Sequence, residues 1–218
     1  MADKPPVHVN RFHRVRSDDD VAHVDDELDS AELVGPAVPP PFAPPVALGE
    51  PGLEGVTVVP GALVHVVGLH GGAGISTIAS LLSEEAADLA LPGAAAHEHR
   101  MSWPVSSVPG APVNVIAVAR THYHGLQAAE RFALAWAAGV LPGRLLGIVF
   151  VDDGPQLAKA QLKAIERVGR MTPHGWRVPW AESWRLARPS LKASSPRVRW
   201  IVRRIRRLAQ NPPTEGNK

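Results

Sequence analysis

A glycine-rich segment with two hydroxyl residues is the part of the sequence whose residue types best suit ligand chemistry. Successive glycines allow several backbone N–H groups to converge on one anion. The residues of this segment are consecutive: Gly71, Gly72, Ala73, Gly74, Ile75, Ser76 and Thr77. A helix that begins here adds unpaired N–H donors and a favourable dipole, and the Ser76 hydroxyl is suited to ligate Mg²⁺. The sequence therefore predicts a phosphate-binding loop at residues 71–77.

The pattern of apolar residues on both sides of the loop predicts the elements that hold it. Residues 62–67 form a short run rich in β-branched residues, typical of a buried parallel strand, and apolar residues recur at helical spacing over 75–89. Strands and helices then alternate: strands at 113–119, 145–151 and 176–180, the last as a final or edge strand, and helices over 126–138 and from Pro155 onwards. Residues 94–112 contain three prolines and are expected to be irregular. This order predicts a three-layer α/β fold with a mostly parallel sheet of four or five strands.

Together with His70, the glycine-rich segment forms a recognisable motif. The sequence HGGAGIST resembles the deviant phosphate loop of the ParA/MinD family of P-loop NTPases, whose pattern is K-G-G-x-G-K followed by two Ser or Thr residues. The resemblance implies a P-loop NTPase-like domain that binds ATP with Mg²⁺. The chain also looks like an uncharacterised family from actinobacterial mobile elements.

Two positions of the motif depart from the family pattern. His70 stands where the family has its signature lysine, and Ile75 stands where it has the phosphate-loop lysine. The strand at 113–119 ends in Arg120, where the family needs an Asp to hold Mg²⁺ and water. Arg120, whose planar fork suits phosphate, is a candidate auxiliary residue together with His70 and Asp152. Because phosphoryl transfer depends on charge neutralisation around the phosphate, we expect nucleotide binding rather than efficient hydrolysis.

Three interpretations of the loop follow from this pattern. In the first, the chain is a degenerate ParA/MinD-like protein with a nucleotide-binding or regulatory role, serving plasmid or mobile-element maintenance. In the second, the glycine turn kept its shape and lost its ligand, and the chain is a scaffold or adaptor that joins protein partners through its Pro-rich tail and basic C-terminal helix. In the third, the chain is a weak ATPase with an unusual loop. The sequence favours the first interpretation and leans away from an enzyme.

Charge and proline content divide the chain into three parts. Residues 1–60 hold 11 acidic and 4 basic residues, whereas residues 61–218 hold 10 acidic and 19 basic ones. Residues 1–55 are predicted to be a disordered acidic and Pro-rich tail. The α/β domain is predicted at 56–190, and a basic amphipathic helix with a short tail at 191–218. Neither a secretion signal nor a membrane-spanning segment is predicted, which favours a cytoplasmic protein.

The predicted C-terminal helix has one apolar side and many arginines. Its apolar stripe consists of Val198, Ile201, Val202, Ile205 and Leu208. The residues predicted to contact a polyanion are Arg199, Trp200, Arg203, Arg206 and Arg207. Three alternatives stay open: the helix lies on anionic lipid as a peripheral anchor, it meets nucleic-acid phosphates with Trp200 stacking, or it docks on its own domain.

Histidine pairs and paired acids complete the candidate groups. His97 with His99, and His122 with His124, could each supply two metal ligands, but a zinc site needs three or four ligands and the chain has no cysteine. Surface or helix-capping histidines are therefore the favoured interpretation. Asp152 and Asp153 are predicted to cap the helix that begins at Pro155.

Overall fold

The computed structural model of the protein describes residues 32–41, 52–60, 64–88, 96–111 and 113–211 of the 218-residue chain. The strands within these ranges are β1 (Leu33–Val34), β2 (Glu54–Val58), β3 (His65–Gly68), β4 (His97–Arg100), β5 (Ser102–Ser106), β6 (Asn114–Arg120), β7 (Arg144–Val151) and β8 (His174–Val178). The helices are α1 (Ile75–Asp88), α2 (Tyr123–Ala137), α3 (Lys159–Gly169), α4 (Ser183–Leu186) and α5 (Pro196–Gln210).

Six of the strands form one sheet in the order β1-β8-β7-β6-β3-β4, and β2 pairs with β5 in a separate two-stranded sheet. All pairs in the large sheet are parallel except β1 with β8. If the five parallel strands are numbered 1 to 5 along the chain, as β3, β4, β6, β7 and β8, their order across the sheet is 2-1-3-4-5. This is a common order of doubly wound sheets. The order reverses between β3 and β6, and doubly wound sheets bind ligands beyond the carboxyl ends of the strands at such a point.

Helices cover both faces of the large sheet, which explains why its central strands are apolar throughout. Val66 packs in a cluster with residues of α1 and α5, whereas the next residue, Val67, packs with residues of α2 and α3 on the opposite face. Successive residues of a strand point to opposite faces, so a strand covered on both sides needs apolar residues at every position. The mixed α/β fold with a mostly parallel sheet, predicted from the sequence, is confirmed.

Two predictions about elements are wrong. Residues 97–106, expected to be irregular, form β4 and β5, and the large sheet has six strands rather than four or five. The sequence of β4, HEHR, lies at the sheet edge with three of its four residues exposed, so it has no apolar pattern to reveal it. The predicted last or edge strand is β8, which is the last strand along the chain but not an edge strand, because β1 pairs on its outer side.

The helix predicted to begin at Pro155 begins later, at Lys159. The backbone N–H of Ala158 donates a hydrogen bond of 2.8 Å to Oε1 of Gln161, which fixes the first turn at that point. Pro155 therefore lies in the connection between β7 and α3 rather than in the first helical turn.

The N-terminal part of the chain contributes one strand to the large sheet. Leu33 and Val34 pair with β8, and the Gly35 N–H donates to the carbonyl of Pro173 at 3.2 Å. Ordered structure therefore includes part of the segment 1–55 that is predicted to be a disordered tail. The acidic run at 18–20 and the rest of that segment outside 32–41 and 52–55 lie outside the described residues.

The predicted C-terminal helix is present as α5 and is docked on the domain. Ser195 caps it by accepting a hydrogen bond from the Val198 N–H at 3.3 Å, and Pro196 occupies the first turn. Its apolar stripe is buried among residues of α1 and the central strands, with only Leu208 partly exposed. A stripe that already fills the core cannot insert into lipid unless the helix undocks. Within the described residues, no helix combines the length and hydropathy that crossing a bilayer requires.

Candidate phosphate-binding loop

The glycine-rich segment forms the turn between β3 and α1, at the point where the strand order reverses. Gly72 and Gly74 have positive φ angles of 74° and 98°, which a residue with a side chain adopts only with strain. A Cβ added at Gly71 or Gly72 meets no heavy atom within 4 Å, so this part of the loop borders open space. The first backbone bond of α1 runs from the Ile78 N–H to the Gly74 carbonyl at 3.1 Å. The N–H groups before Ile78 therefore have no partner within the helix.

His70 supports the loop in one defined protonation state. Its Nδ1 donates to the Gly71 carbonyl at 2.8 Å, and its Nε2 accepts from the Arg120 N–H at 3.0 Å. Only a neutral ring with the proton on Nδ1 makes both bonds. Burial lowers the pKa of His70, the Gly71 carbonyl opposes this, and His122 and Arg120 lower the pKa further. His70 thus holds the loop to β6 and does not replace a lysine charge.

Arg120, at the end of β6, brings a permanent charge to the loop. Its guanidinium donates from Nε to the Gly72 carbonyl at 3.4 Å and from one terminal nitrogen to the Asp152 carbonyl at 2.8 Å. Both acceptors are neutral, so the positive charge is not cancelled by these contacts. Among the sequence-predicted auxiliary residues, Arg120 is the one whose position beside the loop lets it attract an anion.

The predicted loop residues divide into exposed and buried ones. Gly71, Gly72 and Ser76 are exposed, whereas Ala73 and Ile75 are buried. The Ile75 side chain packs in the core with α5, at the position where the resembled family has its phosphate-loop lysine. Ala73 and Ile75 therefore offer a ligand no side-chain contact, and the Ala73 N–H already donates to the His70 carbonyl at 3.3 Å.

A carboxylate that the sequence analysis missed lies beside the start of α1. The Ser76 hydroxyl donates to Oε2 of Glu98 at 2.7 Å, because β4 runs parallel to β3 with Glu98 opposite Val66. Hydroxyl and carboxylate oxygens are the ligand types that Mg²⁺ prefers, and Mg²⁺ commonly takes few protein ligands together with phosphate oxygens and water. The pair therefore fits the Mg²⁺ predicted at Ser76, although the described residues contain no group of three or more His, Cys, Asp or Glu side chains that could hold a metal.

A cavity of about 810 Å³ opens on the same side of α1. It is bordered by Ser76 and Thr77 of the helix start, by Glu98 of β4 and by Arg188. Its volume lies in the range of small-molecule sites. A ligand whose phosphate contacts the loop has room for its remaining atoms here.

Asp152 and Asp153 do not cap α3, contrary to the sequence prediction. Asp152 is buried and forms an ion pair with Arg177 of β8, with one contact of 2.8 Å. Asp153 accepts from the Thr121 hydroxyl at 2.6 Å. Asp152 contacts the loop region only indirectly, because Arg120 bonds its backbone carbonyl rather than its side chain.

The histidine pairs have separate roles. His122 caps α2 by accepting from the Gly125 N–H at 3.0 Å, which confirms the helix-capping interpretation for this residue. His97 and His124 are exposed, whereas His99 is buried against His65, with 2.8 Å between the His99 Nε2 and the His65 Nδ1. A surface role for His99 is therefore wrong, because β4 turns this residue inward.

The predicted polyanion-contact residues of α5 lie on two sides of the helix. Trp200 is 42% exposed, and Arg203 and Arg207 are exposed near it. Arg203 and Arg206 lie 3.4 Å and 3.8 Å from Glu85 of α1, and Arg199 donates to the Ser194 carbonyl just before the helix. Trp200 and Arg207 are thus available to a partner, whereas Arg203, although exposed, is paired with Glu85, and Arg206 also holds the helix on its domain.

A glycine-rich strand-to-helix loop at the switch point of a parallel sheet defines an α/β protein with a candidate anion site. The family model DUF6668, described as a family of unknown function, matches residues 62–202. The chain belongs to this family, and the matched range includes the loop, Arg120 and the first part of α5, up to Val202. No curated protein and no solved structure matches the chain.

Proposed function

We propose that the protein binds a phosphate-containing ligand, a nucleotide with Mg²⁺, at residues 71–77 and acts as a regulatory rather than an efficiently hydrolytic protein. The observation that carries the proposal is the position of the Arg120 guanidinium against the open glycine loop. Backbone N–H groups at a helix start and a nearby arginine together form a standard anion-binding arrangement. The resemblance to ParA/MinD proteins extends the proposal to plasmid or mobile-element maintenance.

The same site offers little for hydrolysis. Phosphoryl transfer needs positive charge around the transferred group and a positioned nucleophile. Ile75 is buried and neutral, and His70 is kept neutral by its two hydrogen bonds. Arg120 is a cation that contacts the loop, and its guanidinium is already oriented by two carbonyls. These features support binding without rapid turnover.

A scaffold without a nucleotide is the second candidate, and one observation favours it. The Arg120 guanidinium already has hydrogen-bond acceptors in the Gly72 and Asp152 carbonyls, so the loop is stable without a ligand. In that function the chain joins partners through the Arg203 and Arg207 side of α5 and its Pro-rich N-terminal segment.

Calorimetric titration of the full chain with ATP, ADP, GTP and inorganic pyrophosphate, each with and without Mg²⁺, distinguishes the two candidates. We expect saturable binding of at least one nucleotide, strengthened by Mg²⁺, and phosphate release well below about one turnover per second, the slow end of competent enzymes. Absence of binding by all four probes to folded protein would favour the scaffold. Turnover near one per second would contradict the regulatory proposal.

A further inference from the structure

The solvent-facing side of α5 is a basic surface with an aromatic residue in the middle. Trp200, Arg203, Arg204 and Arg207 share one side of the helix because residues three and four apart are neighbours on a helix surface. Trp200, Arg203 and Arg207 are exposed, and Arg204 is half-buried. We call these four residues the arginine face of α5. The opposite side of the helix is buried in the domain, so the arginine face is the part of α5 that can meet a partner.

One carboxylate from the N-terminal part of the chain already binds this face. Both Glu32 oxygens accept from Arg204 Nε at 3.0 Å, and the Trp176 indole N–H also donates to Glu32 at 3.2 Å. Glu32 directly precedes β1, which is paired with β8. The residues before Glu32 are therefore tethered to the edge of the arginine face.

The sequence before Glu32 is strongly acidic. Residues 17–31 contain seven carboxylates and no Lys or Arg: Asp18, Asp19, Asp20, Asp25, Asp26, Glu27 and Asp29. Val21, Val24 and Leu28 recur among them at helical spacing. The segment thus combines carboxylates, which can pair with arginines, and apolar residues, which can contact an exposed tryptophan.

We propose that residues 18–31 lie along the arginine face of α5. The length is sufficient, because 14 residues span up to about 45 Å when extended, whereas the 15 residues of α5 are about 22 Å long. The Glu32 contact keeps the segment at a high effective concentration, so weak contacts are formed without loss of translational freedom. Exposed ion pairs are individually weak and sensitive to salt, which makes the contact reversible and lets the segment exclude external polyanions from this face.

The test uses the full-length chain, which has no cysteine and so accepts a single spin label by Ala22→Cys. The NMR intensity of the Trp200 indole, assigned by its loss in Trp200→Phe, is compared with the label oxidised and chemically reduced. We expect the oxidised label to remove most of this intensity at about 0.1 M salt. The intensity should return at about 1 M salt, where the Debye length falls from about 10 Å to about 3 Å.

Two variants separate charge pairing from accidental proximity. Replacing the seven acids of residues 18–29 by their amides, with folding checked by circular dichroism, should restore the Trp200 intensity at low salt, and Arg207→Gln should restore part of it. Arg131→Gln on α2, also exposed, is the matched control and should change nothing. Full intensity at low salt in the labelled wild-type chain, or broadening that survives the amide substitutions, would overturn the proposal. Full intensity together with binding of a short DNA duplex that Arg207→Gln weakens would assign the face to nucleic acid instead.

Discussion

The charged side chains at the carboxyl ends of β7 and β8 are paired differently from the one at the carboxyl ends of β3 and β6. At β7 and β8, Asp152 and Arg177 are buried and neutralise each other. At β3 and β6, the glycine loop is open, and Arg120 has carbonyl acceptors whose dipoles orient it without cancelling its charge. A buried charge with a countercharge contributes to folding, whereas a charge with neutral acceptors keeps its field for a ligand. The comparison predicts that substitutions in the first region affect stability and substitutions in the second affect binding.

Asp152→Ala should have the largest effect on stability. It leaves the Arg177 guanidinium buried without its partner, and breaking a buried pair in this way typically costs about 3–5 kcal/mol. Urea unfolding of the wild type and the variant measures the difference. Asp153→Ala, which removes the hydrogen bond to the Thr121 hydroxyl, is the matched control and should cost about 1 kcal/mol.

A second variant tests whether the loss comes from the uncompensated charge. Adding Arg177→Met to Asp152→Ala removes the stranded guanidinium, so most of the stability should return. If the double variant is no more stable than Asp152→Ala, the loss does not come from the unpaired Arg177 charge. The predicted difference between the two regions would then be wrong.

Lowering the pH should destabilise the protein through the buried pair of His65 and His99, which lies at the amino end of β3. Burial, followed by the nearby His99 and His97, lowers the pKa of His65 from 6.5 to about 4. Between these values the unfolded chain binds a proton that the folded chain does not, so stability is complete above pH 6.5 and falls towards pH 4. The linkage amounts to about 3 kcal/mol at most.

The histidine effect is isolated by comparison with His65→Leu. The unfolding free energy of the wild type should fall more steeply between pH 6.5 and pH 4 than that of the variant, because the carboxylates titrate in both proteins. Parallel profiles would mean that His65 does not carry the expected linkage.

The sequence predicts the central elements because burial on both faces leaves a clear signature. Strands β3, β6 and β7 are nearly continuous apolar runs, and the glycines at 71, 72 and 74 mark the turn after the first of them. The apolar stripe of α5 likewise has helical spacing, and four of its residues are almost fully buried: Val198, Ile201, Val202 and Ile205. Local patterning is therefore sufficient for these elements and for the position of the loop.

The missed features depend on contacts between distant parts of the chain. Glu98 comes beside Ser76 because β4 pairs with β3, but no apolar period identifies β4. Asp152 pairs with Arg177, 25 residues away, so a capping role at α3, which is the simplest local interpretation, is wrong. The chemistry of Arg120 makes it a candidate from the sequence alone, but its contact with Gly72 depends on the pairing of β6 with β3.

Gly74→Val should have an intermediate effect on stability and a complete effect on ligand binding. The Gly74 φ of 98° forces strain on a β-branched residue, at a cost of about 1–2 kcal/mol, and the added side chain approaches Val151, whose Cγ2 lies 3.5 Å from an ideal Cβ. The strained loop should no longer direct its N–H groups at an anion. Pyrophosphate titration of a variant that circular dichroism shows to be folded measures this, and unchanged affinity would place the ligand elsewhere.

Arg120→Gln should have the smallest effect on stability and a clear effect on binding. The glutamine amide can still donate to a nearby carbonyl, so the unfolding free energy should change by less than about 1 kcal/mol, the net worth of a typical hydrogen bond. The lost charge-assisted contact with phosphate is worth about 1.5–3 kcal/mol, or roughly 10- to 150-fold in affinity for pyrophosphate. Arg131→Gln on α2 removes the same charge far from the loop and controls for the overall field. Equal affinities of the two variants would show that Arg120 does not serve the ligand. A large loss of stability in Arg120→Gln alone would show that Arg120 stabilises the fold, as Asp152 and Arg177 do.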